Sequence, residues 1–173
     1  MSLISLLTAT PVSTGAKFPD GRPLPPSGDT TPYSLPTEPP YNAPVYANSP
    51  TGDGSGVVVH PDVIDFKTFH GMSEGWRGYR YWMGITGYYM TADEYENPHI
   101  LVSHDGFDWF PPPGLTNPIY GNPGLPRFYA DTDLVYDPDA DRLILYFIEA
   151  DQNDRDRKWL WATTSTDGVV WTP

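Results

Sequence analysis

The chain has 173 residues, with 22 Asp and Glu against 10 Lys and Arg and a net charge of −12; phosphate backbones and anionic membranes are poor partners for such a surface, so neither nucleic acid nor membrane binding is expected. It contains no cysteine, which excludes a disulfide framework, a thiolate metal site and a cysteine nucleophile. With 21 Pro, 16 Gly, 39% hydrophobic residues and 14% aromatics, it favours loops and short strands over long helices.

In chain order, "MSLISLLTAT" is short and lacks a basic segment, so it is read neither as a signal peptide nor as a membrane span. Eleven of the prolines fall within residues 1–56, where "PDGRPLPPSGD" and "SLPTEPPYNAPVY" follow neither a helical nor a strand period. This composition predicts an extended, partly polyproline arm or linker. Laid along another subunit, such an arm would use Tyr33, Tyr41, Val45 and Tyr46 as anchors. "TGDGSG" at 51–56 reads as a hinge into the rest of the chain.

From residue 57 the composition changes. "VVVHPDVIDF" (57–66) and the aromatic "YRYWMGITGYYM" (79–90) read as strands. "NPHILVSHDGFDWF" (97–110) reads as a strand, a tight turn at Asp105-Gly106 and a second short strand. A long loop (111–128) follows. "TDLVYDPDADRLILYFIEAD" (132–151) is strand, acidic turn, strand. Its "DPDADR" lacks the glycine and terminal glutamate of a calcium loop and reads as a plain turn. "KWLWATTSTDGVVW" (158–171) is again strand, turn, strand.

The second half repeats the first. "SHDGFDW" (103–109) and "STDGVVW" (165–171) share the pattern S-x-D-G-x-x-W at a spacing of 62, and "DVIDF" parallels "DLVYD". A fixed period with about four short strands per unit is the signature of propeller blades. The fold class expected is therefore all-β: two four-stranded propeller-type blades, about 57–126 and 127–173, part of a five-bladed β-propeller, preceded by the proline-rich arm. The repeated motif reads as structural: Gly106 and Gly168 supply the turn's positive φ. Ser103, Asp105, Ser165 and Asp167 bond backbone amides. Trp109 and Trp171 pack beneath the turn between sheets.

The pieces "HPDV", "GYRYWM", "YENPHI", "SHDGFDW" and "NPI" resemble sialidase-like and arabinanase-like β-propeller segments found in tail and tail-fibre proteins of bacteriophages and prophages. The resemblance covers roughly 58–171. It implies a virion tail component located in the phage tail, extracellular when functional. The arm would fasten it to other tail proteins in a multimeric assembly, and the propeller region would contact host surface glycan. Enzyme activity is disfavoured on this reading. The alternative is a glycoside hydrolase, or its relic, acting on cell-surface polysaccharide.

The five-bladed arabinanase and β-xylosidase enzymes that share the architecture use a base aspartate in the first blade, a tuning aspartate in the second and an acid glutamate in the third. The resemblance then makes Asp62 and Asp133 the catalytic candidates, with Asp131 beside Asp133. In this chain His60 stands where the family places its base, and no third blade supplies an acid. His60 and Glu96 join them as candidate binding residues. Among aromatics, Trp76, Trp82, Tyr88 and Tyr89 are candidates to stack on sugar rings, against the reading that alternating aromatics on a strand are core on one face; Trp82 and Tyr88 are kept as binding candidates. No cofactor and no metal is expected.

Overall fold

The structure, a computed structural model, describes residues 49–172. The arm anchors Tyr33, Tyr41, Val45 and Tyr46 lie outside the described residues. The element order is β1 (Val58–Asp65), α1 (Phe66–His70), β2 (Tyr81–Gly87), two 3-10 turns (Tyr89–Thr91 and Asp93–Tyr95), β3 (Asn97–Ser103), β4 (Arg127–Asp137), β5 (Arg142–Asp151) and β6 (Asp154–Ser165). Two antiparallel three-stranded sheets result, ordered β1-β2-β3 and β4-β5-β6. The fold is all-β, as the strand pattern predicts, apart from the five-residue helix. That helix follows the Asp-x-x-Thr of "DFKT": the Asp65 carboxylate accepts from the amides of Lys67 and Thr68, and Gly71 closes the turn at φ 67°.

The sheets stack face to face. Trp82, Ile100 and Val102 of the first meet Leu134, Leu143, Leu145 and Phe147 of the second in one buried cluster. Gly84 permits the close approach, because a Cβ there would stand 2.8 Å from the Leu145 Cδ1. On the opposite face of the first sheet, Tyr81, Met83, Ile85, Leu101 and Trp109 form a second cluster. β2 is therefore buried along its whole length.

Each unit has three strands, not the four expected. After each S-x-D-G-x-x-W turn only a single bridge forms, Val102 with Phe110 and Thr164 with Thr172. In the first unit, Phe110 is followed by three prolines, which offer no N–H to a ladder. The outer edge of β3 is instead capped by the loop. The Asn117 side chain accepts from the Ile100 amide (3.0 Å) and donates to the Ile100 carbonyl (2.8 Å), and the Ile119 amide donates to the Pro98 carbonyl.

The two turns are near-copies. The Ser103 hydroxyl oxygen accepts from the Asp105 and Gly106 amides, and the Asp105 carboxylate from the Phe107 and Asp108 amides. Ser165 and Asp167 repeat this with the amides of Asp167, Gly168, Val169 and Val170. The Trp109 and Trp171 indoles donate back to the Gly106 and Gly168 carbonyls. Trp171 packs on the cluster between the sheets, whereas Trp109 packs on the outer face of the first sheet. "DPDADR" is a turn joining β4 and β5, held by the Asp137 carboxylate on the Asp139 and Ala140 amides. The segment read as a hinge is a hydrogen-bonded loop. The Thr51 hydroxyl accepts from the Gly56 amide, and the Gly52 amide donates to Nε2 of buried His99.

Asp65 ties helix, strand and loop together, since Arg80 also donates to both of its carboxylate oxygens (3.1 and 2.8 Å). Burial alone would raise this carboxyl, but the bonds from Arg80 and Thr68 outweigh it and hold it at about 2. A depressed pKa stabilises the fold above the unfolded value of 3.8 and loses that contribution as pH falls towards 2. Asp65→Asn should therefore cost about 2 kcal/mol at neutral pH and little near pH 2. Chemical denaturation at both pH values measures this.

Candidate functional site

β1 and β4 each carry a bulge at the same place. The register shifts between Val59 and Asp62 in one and between Ala130 and Asp133 in the other. The bulged residues His60 and Asp131 both adopt φ 53°. A non-glycine residue in the left-handed region is strained, and bulges are devices that re-aim side chains, often beside functional sites. Here they aim two side chains at each other: His60 Nδ1 lies 2.9 Å from Asp131 Oδ1. The two strands are further tied by the Leu134 amide donating to the Asp62 carboxylate (2.6 Å) and the Thr132 hydroxyl donating to the His60 carbonyl (3.3 Å).

Asp131 opens onto a cleft of about 260 Å³ whose polar lining is Tyr88, Asp93, Glu96, Asp131, Asp151 and Lys158, over an apolar floor from β4 and β5. The 3-10 turn Asp93–Tyr95 delivers Glu96, which is 7% exposed. Burial, and then the negative charges of Asp93 and Asp131, push the Glu96 carboxyl up to about 7. Such a group is half-protonated at neutral pH and can both give and take a proton. Four carboxyl groups against one lysine make the cleft acidic, which favours neutral or cationic ligands over anionic ones.

The remaining candidates fall as follows. Asp62 is raised by burial, opposed by the Leu134 amide and helped by the charge and hydrogen bond of Asp133. Asp62 and Asp133 are thus neighbours, but one Asp62 oxygen is committed to holding β4. Tyr88 is half-buried and lines the cleft. Trp82 is not a binding residue: it is fully buried between the sheets, with its indole donating to the Trp76 carbonyl. Trp76 is buried with it. Tyr89 is exposed and packs edge-on against Tyr95. Among the described residues no cluster of three or more His, Asp or Glu is arranged to hold a metal ion. Asp93, Asp151 and Lys158 were not visible as site residues in the sequence. The His60–Asp131 pair was legible in principle, since it shares the offset of 71 that aligns "DVIDF" with "DLVYD".

Over 125 residues, 72% of this chain, the sequence is 36% identical to the A type blood N-acetyl-α-D-galactosamine deacetylase of Flavonifractor plautii. The chain is similar to part of a glycan-processing enzyme. The solved N-acetylgalactosamine deacetylase from F. plautii, in complex with blood group B trisaccharide, superposes with a TM-score of 0.64 at 34% identity, covering 75% of this chain and 34% of that one. A glycoside hydrolase aligns with a TM-score of 0.45 at 18% identity, over 66% of this chain and 31% of that one. No family model matches the chain. The chain spans 14% of the length of the curated deacetylase.

This overturns the virion-tail expectation. The resemblance that suggested it rested on short propeller motifs, whereas the identity of 34–36% over nearly three quarters of the chain is to a carbohydrate-acting enzyme. The carbohydrate half of the resemblance stands; the tail half does not. The expectation that disfavoured an enzyme loses the tail reading on which it rested.

Proposed function

We propose that this chain forms part of a glycan-processing hydrolase with a propeller-type architecture, whose acidic cleft binds an N-acetylated amino sugar and hydrolyses its amide. The observation that carries the reading is a buried glutamate, raised to about 7, in a cleft within a region similar to a deacetylase. In this reaction water adds to the acetyl carbonyl, the C–N bond breaks, and acetate and a free amine form. Glu96 takes the proton from water as the bond to carbon forms and returns it to the departing nitrogen. A group near pKa 7 is matched to both transfers. Lys158 faces the negative charge that develops on the carbonyl oxygen. The His60–Asp131 pair holds the Asp131 carboxylate in place across the two bulges. The acidic lining also suits the product, which is a cation.

The Asp62 and Asp133 pair favours a second reading, glycosidic cleavage between two carboxyls. The products separate the two. Incubation of the protein with N-acetylgalactosaminides should release acetate and leave the glycosidic bond intact. Release of reducing sugar without acetate would favour the glycosidase; release of neither from any N-acetylhexosaminide would sink both.

A further inference from the structure

The second sheet carries another cluster that the cleft does not use. β6 is an edge strand, and alternate residues on a strand point to opposite faces. Lys158 lines the cleft, whereas Trp159 and Trp161 point to the other face, where they sit opposite Glu149 and Phe147. Trp161 is 43% exposed, an uncommon state for so large an apolar ring. It is held firmly nonetheless: its indole donates to the Glu149 carboxylate (2.9 Å), and its plane lies 8° from that of Phe147.

Glu149 is 3% exposed and forms an ion pair with Arg127. The Arg127 and Arg157 guanidinium groups lie 5.7 and 4.9 Å from the centre of the Trp159 ring. Tyr120 and Thr163 share a hydrogen bond at 3.1 Å beside Phe147. An exposed, oriented indole is thus held by a buried, fully bonded carboxylate, beside the exposed Arg127 head and the Trp159 ring with its two guanidinium neighbours.

From this geometry we infer a second carbohydrate-binding site at the exposed β6 edge of the face of the β4-β5-β6 sheet that packs on the first sheet, away from the cleft, with Trp161 as the stacking platform for one neutral pyranose ring. A pyranose presents C–H groups on one face, which suit an aromatic ring, and hydroxyls around its rim, which suit paired donors and acceptors. The Arg127–Glu149 pair is neutral as a unit, so the exposed Arg127 head offers donors without demanding a charged ligand. A wholly apolar partner would strand two guanidinium heads against hydrocarbon. The fixed indole reduces the ordering cost of binding. Two sites on opposite faces would let a branched or multivalent glycan be held at one while the other works. The inference rests on the proposed glycan reading only for its choice of probe.

The test is a titration of the full chain with galactose and N-acetylgalactosamine separately, following the indole N–H signals by NMR. A saturable shift of the Trp161 signal is expected with at least one sugar. Affinity, read in the variants from the neighbouring Trp159 signal, should persist in Glu96→Gln and weaken by at least about tenfold in Trp161→Ala. Trp161→Phe, which keeps a ring, should recover part of the affinity. Should Trp161→Ala fail to fold, Arg157→Ala, which leaves the ring and removes a rim donor, should weaken binding severalfold. Binding that survives Trp161→Ala unchanged but vanishes in Glu96→Gln would place the sugar in the cleft alone, overturning the platform and sparing the proposed function. No saturable shift of Trp161 with either sugar would also overturn it.

Discussion

Gly168→Ala is expected to unfold the protein or leave it several kcal/mol less stable. Gly168 holds φ +78° in the second repeat turn, and a Cβ there would stand 2.0 Å from Cη2 and 2.2 Å from Cζ3 of Trp82. The indole cannot retreat. It is fully buried, its N–H is bonded to the Trp76 carbonyl, and the Trp76 ring packs against it edge-on at 4.9 Å. The turn of one sheet thus rests directly on the core residue of the other. Gly54→Ala is the control: it has a similar φ of +75° but open space around the added methyl, so it should cost only about 1 kcal/mol. Unfolding curves of both variants measure the difference. Trp82→Ala alone should also cost about 3–5 kcal/mol through the cavity it leaves. In the double variant the two costs should be clearly less than additive, because the methyl then occupies part of that cavity. Equal and modest losses at Gly54 and Gly168 would show that the Trp82 contact is not rigid.

The duplicated turn was legible because its chemistry is local. Serine, aspartate and glycine at fixed offsets can satisfy only amides within a few residues, so the pattern reads out its own geometry. Strand order was legible for a similar reason, since short β-branched and aromatic runs separated by turns leave few alternatives to neighbouring hairpins. Trp82 shows the limit. Alternation of aromatics on β2 marks two faces, but it does not say that a second sheet covers one and a second cluster the other. A residue expected to stack on sugar is therefore a core residue. The missing fourth strand of the first unit has a nearby cause in the prolines after Phe110, which the strand pattern outweighed.

The cleft was less legible, because its parts meet across long separations. The charged partner of His60 is not Asp62, two residues on, but Asp131, brought opposite by the paired bulges. Glu96 could be recognised as a carboxylate next to a strand. Its unusual pKa could not, since burial and two charges from different segments create it. Lys158 reads as one of several charges in "DRDRKW" until the strand register assigns it to one face and its neighbouring tryptophans to the other.

Glu96→Gln should lower kcat by about 10²–10⁴ while leaving KM within a few fold, because the amide keeps the shape of the side chain but can no longer carry a proton. The same substitution should stabilise the fold at alkaline pH. With a folded pKa of about 7 and an ordinary value of 4.5, the native state holds a proton that the unfolded chain has released. Ionisation in the cleft therefore costs stability progressively as pH rises from about 4.5 to 7, and the cost is constant above that. Glutamine abolishes it, so the variant should gain up to about 3 kcal/mol at pH 8 and show little difference at pH 4. Loss of activity with a gain of stability is what a strained functional group produces and a structural one does not. Asp93→Asn separates the electrostatics from the chemistry. It keeps Glu96 but removes the larger of its two charge partners, so the pH at which activity changes should shift downward while the maximal rate is largely kept. A Glu96→Gln variant that is inactive and also less stable at pH 8 would assign Glu96 to holding the turn before β3 and would leave the proton transfer to another group of the cleft.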